Sequence, residues 1–400
     1  MNEEFTFFLI TRLLFTIGMK MVPVLLGWYL YNLTESKLVL GLVGLSEVIP
    51  AILLALPAGV KVDSSDKKLL IIKSLIFYTI VITGLIITTS ELFNITEEFR
   101  TVFIFILVGL TGVIRAYISP AFSAFLAQLV TKEELVHAAS VNSMTWLIGA
   151  IVGPTIGGFL IGYFSMSFVF VIVVILLVLS IFFIGYFILP KPVTYDKSKV
   201  RTWESVREGL DFVWNQKALF GAMSLDMLAV LFGGAVAILP VFAKDILAVG
   251  PQSFGLLMSA TYAGNFLAIL FLTKFPLKGS QGFKLIYSIA GFGVCMIVFA
   301  LSESFVLSLV ALFVSGLFDG VSVIIRGTIF QILVPDHLRG RVSSVSSIFI
   351  NSSNELGQFE SGVAAAAMGT VPSVVFGGCM TLLVSSIAYF KIPALKNLKY

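Results

Sequence analysis

Twelve stretches of about twenty residues, each nearly free of charge, follow one another along this chain and constrain its fold more than any other feature. They lie near 5–31, 38–60, 69–90, 100–128, 139–163, 166–189, 218–243, 252–274, 283–302, 304–331, 342–367 and 372–391. Such lengths suit helices that cross a hydrocarbon layer of roughly 30 Å; barrel strands need only about 9–11 alternating residues. Of the 400 residues, 58% are hydrophobic and 12% charged, against about 25% charged in a soluble protein. Lipid must therefore solvate much of the surface, and disorder is excluded. The first stretch has no basic leader and no A-x-A-like end, so it reads as a span rather than a cleaved signal.

Lysine and arginine sort by loop. Nineteen follow even-numbered spans or sit in the C-terminal tail, and only Lys37, Arg100 and Lys244 lie in the opposite loops. That bias puts the basic loops and both termini in the cytoplasm. The net charge of +4 is topogenic rather than a nucleic-acid patch. Cys295 and Cys379 sit in apolar stretches and read as packing residues, not a disulfide. His137 and His337 have no ligand cluster around them, so no metal site is expected.

The longest polar stretch, Pro190 to Phe220, divides the spans six and six. Within it Trp203, Val206, Leu210 and Val213 recur at helical spacing, which predicts a helix on the cytoplasmic membrane surface. The domains expected are a six-helix bundle over 1–189, a linker with this amphipathic helix over 190–217, and a second six-helix bundle over 218–400. The halves resemble each other. A shift of 204 residues lays "SVNSMTWLIGAIVGPTIGG" (Ser140–Gly158) on "SVSSIFINSSNELGQFESG" (Ser344–Gly362), and a shift of 214 lays Gly41 on Gly255. Repeats of this kind build many transporters, with a site at mid-membrane.

Several motifs resemble a known family. "LPAGVKVDSSDKKLL" (Leu56–Leu70) resembles motif A of the major facilitator superfamily, and "GAIVGPTIGG" (Gly149–Gly158) resembles its motif C, associated with exporters. "PDHLRGRVSSVSSIF" before the eleventh span is similar to the subfamily of the enterobactin exporter and the macrolide efflux pumps. The resemblance covers nearly the whole chain and implies an all-α membrane fold of twelve transmembrane helices in two pseudo-symmetric bundles. There are departures: Ser64 follows Asp63 where the motif has a basic residue, "LTKFPLKGSQG" has lost its acid, and Arg115 is about one turn displaced from the motif B arginine. By resemblance, Gly59, Asp63, Lys67 and Lys68 form a cytoplasmic gate, with the Asp63 carboxylate on a helix N-terminus. Gly149, Gly153, Pro154, Gly157 and Gly158 give the fifth span a small-residue packing face, with room for an added methyl at Gly153.

The run "NSSNELGQFESG" (Asn351–Gly362) places polar groups where a membrane helix would carry leucine. On a helical wheel Asn351, Asn354, Glu355 and Gln358 share a face, and Glu360 points away. A mid-membrane carboxylate costs about 2.5–3.5 kcal/mol or more, so it must face water or a partner. The stripe is expected to face an aqueous cavity, and Glu360 to pair with a neighbouring helix. Glu47, Asp226 and Asp319 complete the interior acids, against Arg12, Lys20, Arg115 and Arg326. Glu355, Glu360, Asp226, Asp319 and Glu47 are the proton-coupling candidates, since a carboxylate held out of water exchanges protons near neutrality. Thr16, Lys20, Tyr31, Asn351, Asn354, Gln358 and Arg115 are the cavity candidates, and Arg12 and Arg326 the charge-pair candidates.

The sum is a proton-coupled antiporter exporting a small organic molecule, a siderophore or a drug-like amphiphile, from a bacterial inner membrane, acting as a monomer with no cofactor. Alternatives are a lipid or metal exporter of the same fold and a non-transporting sensor. No P-loop is present and no nucleophile–base set stands out, which argues against an ATP-driven pump or an enzyme.

Overall fold

The computed structural model describes residues 3–90, 96–192, 203–335, 338–396 and 398, without the side chains of Leu56, residues 203–206, Ser344, Ile348 and Asn351. Among the described residues the chain is helical, with no strand. The first six helices are α1 (Glu3–Thr34), α2 (Lys37–Ser64), α3 (Lys67–Thr89), α4 (Glu97–Leu129), α5 (Leu135–Ile161) and α6 (Met166–Phe187). After α7 (Trp203–Asn215) come α8 (Lys217–Gly233), the short turn α9 (Leu239–Val241), α10 (Pro251–Lys274), α11 (Gln281–Leu301), α12 (Phe305–Leu333), α13 (Arg339–Met368), α14 (Thr370–Lys391) and α15 (Pro393–Lys396).

Short polar residues start several helices by taking an orphan amide. Asp66 accepts from Leu69, Thr96 from Phe99 and Ser165 from Phe168. Gly369, at φ 94°, turns the chain between α13 and α14 in a conformation other side chains resist. Leu53, Tyr186 and Phe390 are 73%, 75% and 76% exposed, as lipid-facing side chains should be.

Eleven helices among the described residues are long and apolar enough to cross a membrane. Helix α13 has the length, 30 residues, but its polar run keeps it out of that set. Cys295 is half-buried and Cys379 exposed, both free. The exposed Cys379 therefore corrects the reading of both cysteines as packing residues.

The chain divides into two compact units, Met1–Thr34 with Ser46–Arg201, and Glu35–Leu45 with Thr202–Tyr400. In the first, α1 packs on α5 and α6, and α3 on α4 and α6. In the second, α8 packs on α13 and α14, and α11 on α12 and α14. The internal scheme is therefore repeated, down to the joints. A Cβ built on Gly112 of α4 would fall on the Glu47 carbonyl oxygen, and one on Gly316 of α12 would fall on that of Thr261. Gly316 follows Gly112 by the same 204 residues, and Thr261 follows Glu47 by the same 214, that relate the halves in sequence. Likewise a Cβ on Gly153 would lie 2.7 Å from the Ile17 carbonyl, and one on Gly357 2.8 Å from that of Val230. Each glycine lets two backbones meet where a side chain would hold them apart.

Two expectations need correction. Helix α7 is not simply laid on a membrane surface: it packs against α13 and α8. Val213 is 2% exposed, Glu208 pairs with Arg341, and Gly209 sits against the Arg341 carbonyl. Leu210, on the expected apolar stripe, is 40% exposed, as a lipid-facing position would be. Residues 193–202 of the linker, with the side chains of Trp203 and Val206, lie outside the described residues. The seventh span is also not one helix. It stops at Gly233, and a 3-10 turn (Val236–Ile238), α9 and a π turn (Phe242–Ile246) complete it.

Candidate functional site

In the first unit, the approach of α4 to α2 at Gly112 delivers Arg115, one turn on, to Glu47. Arg115 Nη1 donates to Glu47 Oε1 at 3.0 Å, with the side chains 31% and 25% exposed. Glu47 and Arg115, assigned separately to proton coupling and to the cavity, thus form one pair. Thr16 is fully buried; its hydroxyl donates to the Arg12 carbonyl at 2.7 Å, and its side chain fills the space above Gly149. Tyr31 is 4% exposed. Both are therefore buried rather than on an open face; at Thr16 the cause is Gly149, which lets α5 close tight against α1. Lys20 is half-buried, its ammonium 5.0 Å from the centre of the Trp146 ring.

Arg12 departs most from expectation. It is half-buried and has no carboxylate, hydroxyl or carbonyl partner among the described residues. Its guanidinium lies 4.6 Å from the centre of the Phe122 ring, and its Nε is buried without an acceptor. Phe8 and Phe15 of α1 pack around the same ring, at 5.8 and 5.6 Å. An arginine held in a membrane interior costs about 2.5–3.5 kcal/mol or more unless water or an anion meets it; a ring face recovers about 0.5–2 kcal/mol.

In the second unit, Gly264, Gly316 and Gly320 bring α10 and α12 into backbone contact. That contact sets Asn265 beside Asp319, and its amide donates to Asp319 Oδ2 at 2.6 Å. Arg326, two turns further along α12, donates to Asp226 of α8 through Nη1. Its Nη2 lies 4.0 Å from Asp319 Oδ1, and its Nε donates to Ser322 at 3.2 Å. Two acids thus share one cation. The Asn265 Oδ1 atom is buried without a donor. Asp226 and Asp319 line a small cleft with Ser288, Phe292, Phe318 and Ser322. Asp226 is 6% exposed.

The polar stripe of α13 does not face open space as a unit. Glu355 is 6% exposed and accepts from Gln358 Nε2 at 2.7 Å, whereas Asn354 is exposed and folds back on the Ile350 carbonyl. A Cβ on Gly44 would lie 2.9 Å from the Gln358 Cβ, so Gln358 packs against the start of α2 in a seam that Gly41 and Gly44 clear. The Asn351 side chain lies outside the described residues. Glu360, expected to pair with a neighbouring helix, is half-buried and makes no hydrogen bond or ion pair among the described residues.

One feature beside Glu360 was missed from sequence. Where α8 stops, the freed Gly234 carbonyl accepts from the Ser361 hydroxyl at 2.8 Å. Irregular backbone at membrane depth survives only where its polar groups are met or line a cavity, and discontinuous helices mark many transporter sites. The consecutive glycines 233 and 234 were the available signal.

At the other end of the first unit, the motif A lysines brace its own joints. Lys67 Nζ donates to the Asp63 carbonyl at 2.8 Å, and Lys68 Nζ to the carbonyls of Gly185 and Ile188 at 3.0 and 2.5 Å, capping α6. Asp63 is half-buried and Gly59 buried. On α5, Gly149, Gly153, Pro154, Gly157 and Gly158 are all buried.

A family described as transmembrane secretion effector, of the major facilitator type, matches residues 1–399. The chain belongs to that family. It is 25% identical over 371 residues to the MFS-type transporter YfiS of Bacillus subtilis, covering 89% of this chain and 85% of that one. It is 27% identical over 266 residues to the multidrug efflux pump Tap of Mycolicibacterium fortuitum, covering 66% and 64% of the two chains. Among solved structures it superposes on a D-xylose–proton symporter with TM-score 0.75 at 12% identity, covering 99% of both chains. A bacterial homologue of the iron transporter ferroportin gives 0.72 at 15%, covering 100% of both. At such identities the structures show the fold alone, and that fold is the major facilitator one. The family makes the protein a multi-pass membrane transporter and not an enzyme.

Proposed function

We propose that this transporter exports a small organic molecule from the cytoplasm against entering protons, its two six-helix units alternating access to a central site. It acts as a monomer in the bacterial inner membrane with both termini in the cytoplasm, and residues 190–217 link the units. The observation that carries the reading is the surplus of acid inside the second unit. Asp226 and Asp319 share Arg326 beside a cleft, and Glu360 has no partner at all among the described residues. A carboxylate without a counter-ion is kept in a membrane only for a task, and taking up a proton relieves its cost. Proton and cargo exclude each other when one acid serves both, which is what antiport needs. Motif A, through Asp63, closes the cytoplasmic side, and the motif C seam between α1 and α5 lets helices rock. The multidrug relative favours drug-like amphiphiles among the possible cargoes.

The test is flux in liposomes under an imposed pH gradient, with Glu360→Gln and Asp319→Asn beside the wild type. Each amide is a permanently neutral mimic. At least one variant should lose gradient-driven flux while remaining folded by size-exclusion profile. Wild-type flux that ignores the pH gradient would end the antiport reading.

A further inference from the structure

The first unit carries a cation that its own chain leaves unanswered. Arg12 sits in the first third of α1, its guanidinium carbon 4.6 Å from the centre of the Phe122 ring of α4. None of its N–H groups has an acceptor among the described residues, and Nε is buried. The contrast with the other interior arginines is sharp: Arg115 holds Glu47, and Arg326 holds Asp226. An aromatic ring supplies no strong acceptor, so the N–H fork still lacks one, and such a fork takes an oxyanion through two parallel hydrogen bonds. The residue is half-buried, so part of it remains exposed. A second cation, Lys20, lies two turns along α1, roughly 12 Å further, against the Trp146 ring. Positive charge and aromatic surface thus run together along α1.

We propose that Arg12 is an anion-binding residue, and that the cargo carries an oxyanion group, a carboxylate or a phosphate, joined to an apolar or aromatic body. The inference rests on the export reading only in calling that anion cargo. Arg12 takes the oxyanion edge-on, and the long-range field of Lys20 adds to the attraction. The surplus positive charge of this unit repels cationic amphiphiles, which narrows the range of drug-like molecules accepted.

The experiment uses the full-length protein in lipid nanodiscs. The probes are salicylate and phenyl phosphate as aromatic oxyanions and benzylamine as a cation of similar size. Binding is read by tryptophan quenching and by the shift in thermal midpoint. The wild type should bind one of the oxyanions saturably and benzylamine not at all; which oxyanion binds tells carboxylate from phosphate cargo. Arg12→Gln should weaken that binding at least about tenfold, the loss of one charge-assisted contact. Arg12→Lys, which keeps the charge without the fork, should fall between. Without ligand, Arg12→Gln should raise the thermal midpoint by a few degrees, since it removes an unanswered charge; a merely structural arginine would give a fall. Equal oxyanion binding by wild type and Arg12→Gln, a preference for benzylamine, no saturable binding of either oxyanion, or a lowered midpoint would each overturn the proposal. Binding needs no gradient. Oxyanion binding without proton-driven flux would therefore defeat the antiport reading alone, and flux of the bound oxyanion unchanged in Arg12→Gln would defeat this one alone.

Discussion

Replacing Gly153 by alanine should loosen the first unit, whereas the same change at Gly157, one turn along the same seam, should not. An alanine Cβ at 153 would lie 2.7 Å from the Ile17 carbonyl oxygen and 2.9 Å from the Lys20 Cβ. The nearest atom to a Cβ at 157 is Met21 Cγ, at an ordinary 3.5 Å. To restore a contact of 3.4 Å at 153, α1 must retreat by about 0.7 Å. The obstacle is backbone and cannot rotate away, so the seam opens along its length. Overpacking of this kind costs about 1–3 kcal/mol. Both variants gain the same helix propensity, up to about 1 kcal/mol, which cancels when they are compared. The difference corresponds to roughly 2–10 °C in thermal midpoint for a unit of this size. The assay is thermal unfolding of full-length protein in nanodiscs, followed by flux per folded molecule. Equal midpoints for the two alanine variants would refute the reasoning. The geometry also corrects the expectation that a glycine-rich seam has room for a methyl at 153: it has room at 157.

Two further outcomes follow from the joints. Glu47→Gln and Arg115→Gln should each lower the thermal midpoint, and a double-mutant cycle should return a coupling of only about 1 kcal/mol, because both side chains are a quarter to a third exposed. Ser361→Ala should cost about 1–3 kcal/mol by leaving the Gly234 carbonyl without its donor; amide exchange should quicken at residues 233–238, and unchanged exchange there would show that the hydroxyl does not hold the break.

The spans were legible because membrane solvation is a bulk property: twenty apolar residues announce a crossing whatever they touch. The repeat was legible because glycine at a helix crossing cannot drift without pushing two backbones apart, so Gly153 and Gly357 kept their register. The polar groups were only half legible. Periodicity put Glu355 and Gln358 on one face of α13, but the neighbour that covers them is decided by Gly41 and Gly44, glycines more than 300 positions earlier. Charge counting suggested a partner for every interior cation, yet Arg12 is met by an aromatic ring, which carries no formal charge to count. The break after Gly233 was hidden because hydropathy does not register whether an apolar run is regular.

The two units share their joints but not their charges, and the difference falls at equivalent positions. One turn after the crossing glycine, the first unit has Arg115 and the second has Asp319. Counted through the interior, the first unit holds Arg12, Lys20 and Arg115 against Glu47, and the second holds Asp226, Asp319, Glu355 and Glu360 against Arg326. Each imbalance is expensive in a membrane; on the readings proposed above, the first is relieved by taking up an anion and the second by taking up protons. An anion leaving the cell and a proton entering it move charge in the same electrical sense. A membrane potential negative inside therefore favours both, by about 2.3 kcal/mol per charge for each 100 mV. An exporter of oxyanions built this way draws on the potential twice in one cycle, whereas a cationic cargo would have to be carried out against it.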